Sequence, residues 1–358
     1  MTVTTSSTVP ASTMRTVREE FPGRRGYLSA CTTGLPPIRG RAALIAAVDE
    51  WSTGRIDMGA WTRTAEDCRR HFAALVGVNP ARVAIGSQAS VFVGLAAGAV
   101  PHGAEVLCAR EDFSSVILPF VHSPWITVRT VPLDALADEI TDRTWLVAFS
   151  LVQSGTGDVA DDSAIVTAAE RHGALTLCDA TQAVGWLDVH ADRFDVTICH
   201  AYKWLCAPRG VAFAVVSERM QRILPPRFAG WYAGSDPWSS CYGADVVLAD
   251  DASRFDVSPA WQAFAGAEPA LALFRALPPD EVYAATTDLA ASFREKLGLA
   301  RPVRPTPIVT WSDHDGRDLA RLSARGVVAS GRAGRARVAF HVFNDDEDVD
   351  LAVGALTR

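Results

Sequence analysis

Of the 34 basic residues in this 358-residue chain, only two are lysines, Lys203 and Lys296. Lys296 lies in an ordinary amphipathic stretch, whereas Lys203 follows a buried, strand-like run between Tyr202 and Trp204. A lysine sheltered from water holds its proton less tightly and becomes a nucleophile and a base. Upstream, Leu177-Cys178-Asp179 puts an acid at the end of another apolar run, where a carboxylate needs a cationic partner. Earlier still, Ala84–Ser90 reads as a strand end, a glycine turn and a helix start, with N–H groups and hydroxyls free to hold an anion. Near the other end of the chain, Gly334–Asn344 sets Arg335 and Arg337 on a strand, suited to gripping a carboxylate with two hydrogen bonds. Each feature alone has a bland reading: a capping serine, an N-cap acid, a snorkelling lysine, a solvated arginine. Together they supply an anion cradle, an acid for a ring nitrogen, a Schiff-base lysine and a carboxylate clamp, which pyridoxal phosphate chemistry requires.

The elements that must position them alternate in type. Strand-like runs at Arg82–Ile85, Glu105–Cys108, Ile126–Val131, Trp145–Phe149, Leu175–Cys178, Val196–Cys199 and Val211–Val215 are separated by helical patterns such as Asp161–His172. This predicts an α/β fold: βαβ units on a mainly parallel sheet with helices on both faces. In such a sheet the ends of neighbouring strands share one edge, so Asp179 and Lys203 reach one crevice. Arg39–Thr53 and Trp61–Val76 predict two helices before the sheet. Residues 225–260, rich in Pro, Gly, Trp and Ser, carry neither period and predict a long irregular excursion of functional or interfacial use. Helices at Trp261–Leu277 and Glu281–Leu297, a strand at Ile308–Trp311, a helix at Arg317–Arg325, a strand at Arg337–His341 and a helix from Asp345 predict a small α+β domain. The expected division is a disordered segment over 1–20, a large domain over 21–255 and a small domain over 256–358.

In this order the motifs resemble the class V aminotransferase family of fold-type-I pyridoxal-phosphate enzymes, which includes cysteine desulfurases, kynureninases and isopenicillin N epimerases. The resemblance runs from about Tyr27 to the end. It implies that Lys203 binds pyridoxal 5'-phosphate as a Schiff base, that Asp179 pairs with the pyridine nitrogen and that Gln182 meets the ring hydroxyl. It places Ser87 and Gln88 on the phosphate and Phe113 against the ring. Tyr202 follows the kynureninase pattern, in which the hydroxyl reaches the phosphate, with His200 assisting. Arg337 matches the arginine that binds the substrate carboxylate; whether Arg332 or Arg335 also meets substrate stays open, Arg332 being the candidate named. The family implies a homodimer in which partner residues complete each site, Ser258 being placed to do so.

Other features narrow the reaction. Ser330–Gly334 lacks the nucleophilic cysteine that desulfurases carry on that loop. The Gly230–Gly243 segment holds four aromatic rings, among them Trp231 and Tyr232, able to cage a quaternary ammonium or to pack a dimer interface. This segment and Arg254–Trp261 resemble actinobacterial lyases of the ergothioneine pathway, which cleave the C–S bond of hercynylcysteine sulfoxide. The implied reaction is β-elimination on a small amino-acid-derived substrate, with epimerisation or amino transfer as the alternative. A net charge of −7 without a basic stripe argues against nucleic acid, and no apolar run is long enough for a membrane span. Seven cysteines, an odd number with no C-x-x-C pair, predict reduced, buried thiols in a cytoplasmic protein, Cys241 included, and no metal site is expected.

Overall fold

Short apolar runs form β1 (Val83–Gly86), β2 (Glu105–Ala109), β3 (Thr127–Val131), β4 (Thr144–Ser150), β5 (Leu175–Asp179), β6 (Val196–His200) and β7 (Ala212–Val216) in this computed structural model, which describes residues 11–357. They make one seven-stranded sheet in the order β1-β7-β6-β5-β4-β2-β3. Every residue of β5, β6 and β7 is buried, as strands covered on both faces must be. The pairs from β3 through β6 are parallel, and β7 runs antiparallel to both β6 and β1. The reversal of β7 leaves β1 pointing the same way as β4, β5 and β6, so all four present their carboxyl ends on one edge.

The first eight helices are α1 (Ala11–Glu19), α2 (Ile38–Ser52), α3 (Met58–Leu75), α4 (Ala89–Ala97), α5 (Ser114–Val121), α6 (Asp162–His172), α7 (Glu218–Gln221) and α8 (Trp261–Arg275). α3, α6 and α8 cover one face of the sheet, where Phe72, Ile165 and Leu271 join Phe149, Cys178 and Phe213 in a core. α4 and α5 cover the other, where Phe92, Val93 and Phe120 pack with Ala84, Val106 and Ala148. After them α9 (Pro279–Lys296), α10 (Arg317–Ala324) and α11 (Asp346–Leu356) pack on an antiparallel three-stranded sheet, β8 (Ile308–Ser312), β10 (Arg335–Ala339) and β9 (Ser330–Arg332), in that spatial order. Phe293, Val309, Leu322, Phe340 and Val349 form its core.

Two expectations are corrected, and one segment gains a definite shape. Residues 11–19 are helical, because Val17 is buried in the main core and ties down a Ser/Thr-rich segment whose composition alone argued for disorder. The expectation of disorder over residues 1–10 falls outside the described residues. Ser330–Gly334 belongs to a tight hairpin: Ala333 and Gly334 have φ of 48° and 73°, the left-handed pair that a two-residue turn between β9 and β10 demands. Cys241 is exposed, since it follows a single-turn helix (Pro237–Ser240) at the surface of the 225–260 excursion, while the other six cysteines are buried.

Candidate active site

Ser150, Asp179 and Ile198 lie abreast in register across β4, β5 and β6, so Asp179 is the last strand residue before the chain leaves the sheet. Its carboxylate is buried and accepts the Thr181 N–H at 2.9 Å. Burial pushes the Asp179 pKa up, against the pull of the Thr181 hydrogen bonds and of Lys203. Lys203 stands three residues beyond β6 in a tight turn where Cys206 takes a left-handed φ of 55°, a strained backbone of the kind found at functional sites. Gly34 seals this turn: its N–H donates to the Tyr202 carbonyl at 2.8 Å, and a Cβ there would sit 2.1 Å from the Lys203 carbonyl oxygen. The Lys203 Nζ lies 5.3 Å from the Phe113 ring centroid and 5.6 Å from that of Tyr202. Burial pushes its pKa down to about 8, with Asp179 opposing. The two groups called from sequence therefore meet, and the lysine is partly a free amine near neutral pH.

A cavity of about 110 Å³ opens at this edge. Gln88, Phe113, Asp179, Gln182, His200, Tyr202 and Lys203, all named from the sequence, line it. The backbone of β1 runs into α4 there, and Gln88, the N-cap residue, spends no side-chain hydrogen bond on capping. A buried ion pair holds this corner: Asp256 takes Arg69 at 2.6 Å and the Ile85 N–H at 2.7 Å. Gln182 is fixed on three sides, receiving Trp204 Nε1 at 2.8 Å and donating to the Cys31 carbonyl at 2.8 Å and Ser154 Oγ at 3.4 Å. His200 is buried, its Nε2 has no hydrogen-bond partner, and burial with Arg209 and Lys203 nearby pushes its pKa down to about 4.

Arg337 is 1 % exposed and lies just behind the cavity wall. It donates to Ser330 Oγ at 3.1 Å, to Thr32 Oγ1 at 2.8 Å and to the Ser154 carbonyl. Among the described residues no carboxylate pairs with it, so a buried guanidinium is held by neutral groups alone. Arg335 is committed to Thr310, with Nη2 to Oγ1 at 2.9 Å, whereas Arg332 is exposed at the hairpin and bonds only the neighbouring Gly331 carbonyl. Neither lines the cavity, and which of them meets substrate stays open.

Several expected residues lie elsewhere. Gln88 and Ser90 line the cavity, and Ser87, half-buried, stands one residue before its edge. Ser258, expected to serve the partner's site, is exposed and does not line the cavity of its own chain. Trp231 and Tyr232 are held away by an aromatic cluster, Trp231 packing on Trp238 at 5.0 Å and on Trp261 at 6.2 Å, while the Tyr232 hydroxyl donates to Glu66 at 3.2 Å. The sequence reading missed Arg209, Thr181, Ser150 and Ser154 on the wall, and Asp112 behind it. Asp112 accepts the Phe113 N–H at 2.6 Å and the Ser150 N–H at 2.6 Å, fixing the ring that faces Lys203. A hydroxyl after a strand-end acid was the available signal for Thr181; Arg209 needed the antiparallel return of β7.

Pyridoxal phosphate fits this donor set. The unpartnered His200 Nε2 and the uncapped start of α4 suit its phosphate, Asp179 its ring nitrogen, Phe113 its face and Lys203 its aldehyde.

Known proteins share this chain's family and fold. The chain is 26% identical over 317 residues to the uncharacterized aminotransferase YcbU of Bacillus subtilis, covering 80% of this chain and 82% of that protein. It is 29% identical over 212 residues to the isopenicillin N epimerase of Amycolatopsis lactamdurans, covering 53% and 52%. The structure of the cystine C-S lyase C-DES in complex with its reaction product cysteine persulfide superposes with a TM-score of 0.82 at 20% identity, over 93% of this chain and 97% of that one. The family model of class-V aminotransferases matches residues 57–306, and the chain belongs to that family.

Proposed function

We propose that the protein is a pyridoxal-phosphate-dependent carbon–sulfur lyase that cleaves hercynylcysteine sulfoxide by β-elimination, the C–S bond-breaking step of ergothioneine formation. The observation that supports elimination is a buried lysine at the cavity together with a thiol-free hairpin: burial pushes the Lys203 pKa down to about 8 against the pull of Asp179, and Ser330–Gly334 offers no nucleophilic sulfur. Cys241, the exposed thiol, does not line the cavity. Support for this particular substrate is the resemblance of Gly230–Gly243 and Arg254–Trp261 to the lyases of that pathway.

When bound, pyridoxal phosphate supplies an electron sink for the carbanion formed at Cα. Arg337, with no acid of its own to neutralise, takes the α-carboxylate and orients the Cα–H bond toward Lys203. The Lys203 amine accepts the Cα proton, its basicity matched to near-neutral pH by burial. Asp179, buried beside Lys203, is the residue that would pair with the ring nitrogen, and Gln182, held by Trp204, Cys31 and Ser154, would meet the ring hydroxyl from the cavity wall. The Cβ–S bond breaks with its electron pair leaving on sulfur as a sulfenate, which an external thiol reduces; the remaining aminoacrylate hydrolyses to pyruvate and ammonia.

The enzyme is proposed to act in the cytoplasm as a homodimer with shared sites. Exposed Ile45, Val48 and Trp51 on α2 and exposed Trp238, Tyr242 and Val247 on the excursion offer apolar surface for a second copy. Among the described residues no helix is long and apolar enough to cross a membrane.

The test is product analysis by mass spectrometry on cofactor-loaded protein given hercynylcysteine sulfoxide, cysteine or a simple cysteine sulfoxide, with a thiol reductant. Pyruvate with ergothioneine, and little from the simple compounds, is the expected result. Similarity to isopenicillin N epimerase favours a second reading, epimerisation or amino transfer on another small amino acid; a product that keeps its side chain would select it.

A further inference from the structure

Three strand ends lie level at the cavity edge. Gly86, closing β1, and His200, closing β6, both stand opposite Ala212, the first residue of β7. Arg209 precedes Ala212 by three residues, so it emerges between the N-terminus of α4 and His200. Gly210, at φ +101°, makes the turn that brings it there. The Arg209 guanidinium lies 4.3 Å from the Tyr202 ring centroid and lines the same cavity as Gln88, Ser90 and His200. Among the described residues no carboxylate pairs with it. Lys203, the other cation of the cavity, faces Asp179 and Phe113 instead.

A phosphate placed at this pole would otherwise meet only neutral partners. His200 is 92% buried and its Nε2 is unpartnered, but with a pKa near 4 the imidazole carries no charge at neutral pH. The start of α4 contributes a partial charge from its free N–H groups. A dianion desolvated by such partners alone is poorly compensated, and a guanidinium stacked on an aromatic face is already oriented for two-pronged phosphate contact.

We propose that Arg209, preorganised on Tyr202, is the cationic ligand of the cofactor phosphate, with His200 Nε2 and the N–H groups of α4 as its uncharged co-donors. This rests on pyridoxal phosphate being the cofactor. The inference adds a charged group to the uncharged contacts that the family resemblance places on the phosphate, Ser87, Gln88, Tyr202 and His200, and it explains why the chain keeps a solvent-reachable arginine directly over Tyr202.

The experiment compares apo wild type, Arg209→Gln and Arg209→Lys in binding pyridoxal 5'-phosphate and pyridoxal, which lacks the phosphate, followed by visible absorbance of the lysine adduct. Loss of a charge-assisted phosphate contact should weaken pyridoxal phosphate about 10-fold or more in Arg209→Gln while leaving pyridoxal unchanged. Arg209→Lys, which keeps the charge without the fork, should fall between. Equal weakening of both ligands would assign Arg209 a purely structural role on Tyr202 and overturn the proposal, as would an unchanged affinity for pyridoxal phosphate. Failure of the wild type itself to bind pyridoxal phosphate would overturn the cofactor reading, and the proposal with it.

Discussion

The carboxyl edge of the large sheet and the 225–260 excursion both carry residues suited to binding, yet they are built in opposite ways. At the sheet edge, Asp179, His200 and Lys203 leave buried strands or the turn just after one, and their positions follow from register. In the excursion, Trp231 and Tyr232 are placed by contacts with α3, α8 and one another, and those contacts turn them away from the cavity of their own chain. A residue at a strand end inherits the precision of the sheet, whereas a residue in an irregular segment goes where its side chain is best buried. The chemistry therefore belongs to the first region, and the second can reach a site only across a subunit boundary.

The largest effect should come from the sheet edge. Lys203→Ala should lower turnover by at least about 10³-fold, because one residue serves as both nucleophile and base, and should abolish the visible adduct with pyridoxal phosphate. Steady multiple turnover by this variant, with no added amine, would move the chemistry elsewhere. Asp179→Asn comes next. Asp179 holds the Lys203 pKa up, so its neutralisation should let burial depress that pKa below about 8. In wild-type apoprotein, adduct formation should quicken as pH rises through about 8 and level off above it; in the variant that rise should move to lower pH. Turnover should nevertheless fall about 10²-fold, since the ring nitrogen loses its anionic partner. An upward move of the titration would contradict the stated geometry.

How much was legible in the sequence follows the same division. The parallel sheet was readable from alternating apolar runs, and Asp179 and Lys203 from their places at the ends of two of them. What escaped were positions set by long-range return of the chain. Arg209 is six residues from Lys203 in sequence, but only the antiparallel pairing of β7 brings it back over Tyr202. Asp256 looked like part of a loop, yet it closes on Arg69, 187 residues away, and fixes the end of β1 under the cradle. Ser87 and Gln88 were named on the family resemblance; the strand ends at Gly86 and the helix starts at Ala89, which puts Ser90 on the cavity wall as well.

The Arg69–Asp256 pair gives the third and purely structural test. Both groups are buried, so Arg69→Ala would leave Asp256 unpaired in the interior and should cost about 3–5 kcal/mol in denaturant unfolding. Arg69→Ala with Asp256→Ala should recover part of that loss, because no buried charge is then left alone. Destabilisation of the single variant within about 0.5 kcal/mol, the range of ordinary surface changes, would mean that water already reaches this corner.

The smallest effect decides what the excursion is for. Trp231 touches Trp238, Trp261 and Tyr232, so Trp231→Phe keeps most of the packing while reducing the face available to a cation. If this segment cages a trimethylammonium across the dimer, the variant should raise KM for hercynylcysteine sulfoxide by about 3- to 10-fold, leave kcat unchanged and spare a simple cysteine sulfoxide. Location follows from mixed dimers of Lys203→Ala and Trp231→Phe subunits. Action in trans gives one site carrying both defects and one carrying neither, so the active site shows the wild-type KM. Action in cis puts each defect in its own site, and the surviving activity shows the raised KM. An unchanged KM in Trp231→Phe homodimers would reduce the aromatic cluster to packing, and the specificity for a quaternary ammonium would then have to come from the sheet edge, where Phe113 and Tyr202 already face the cavity.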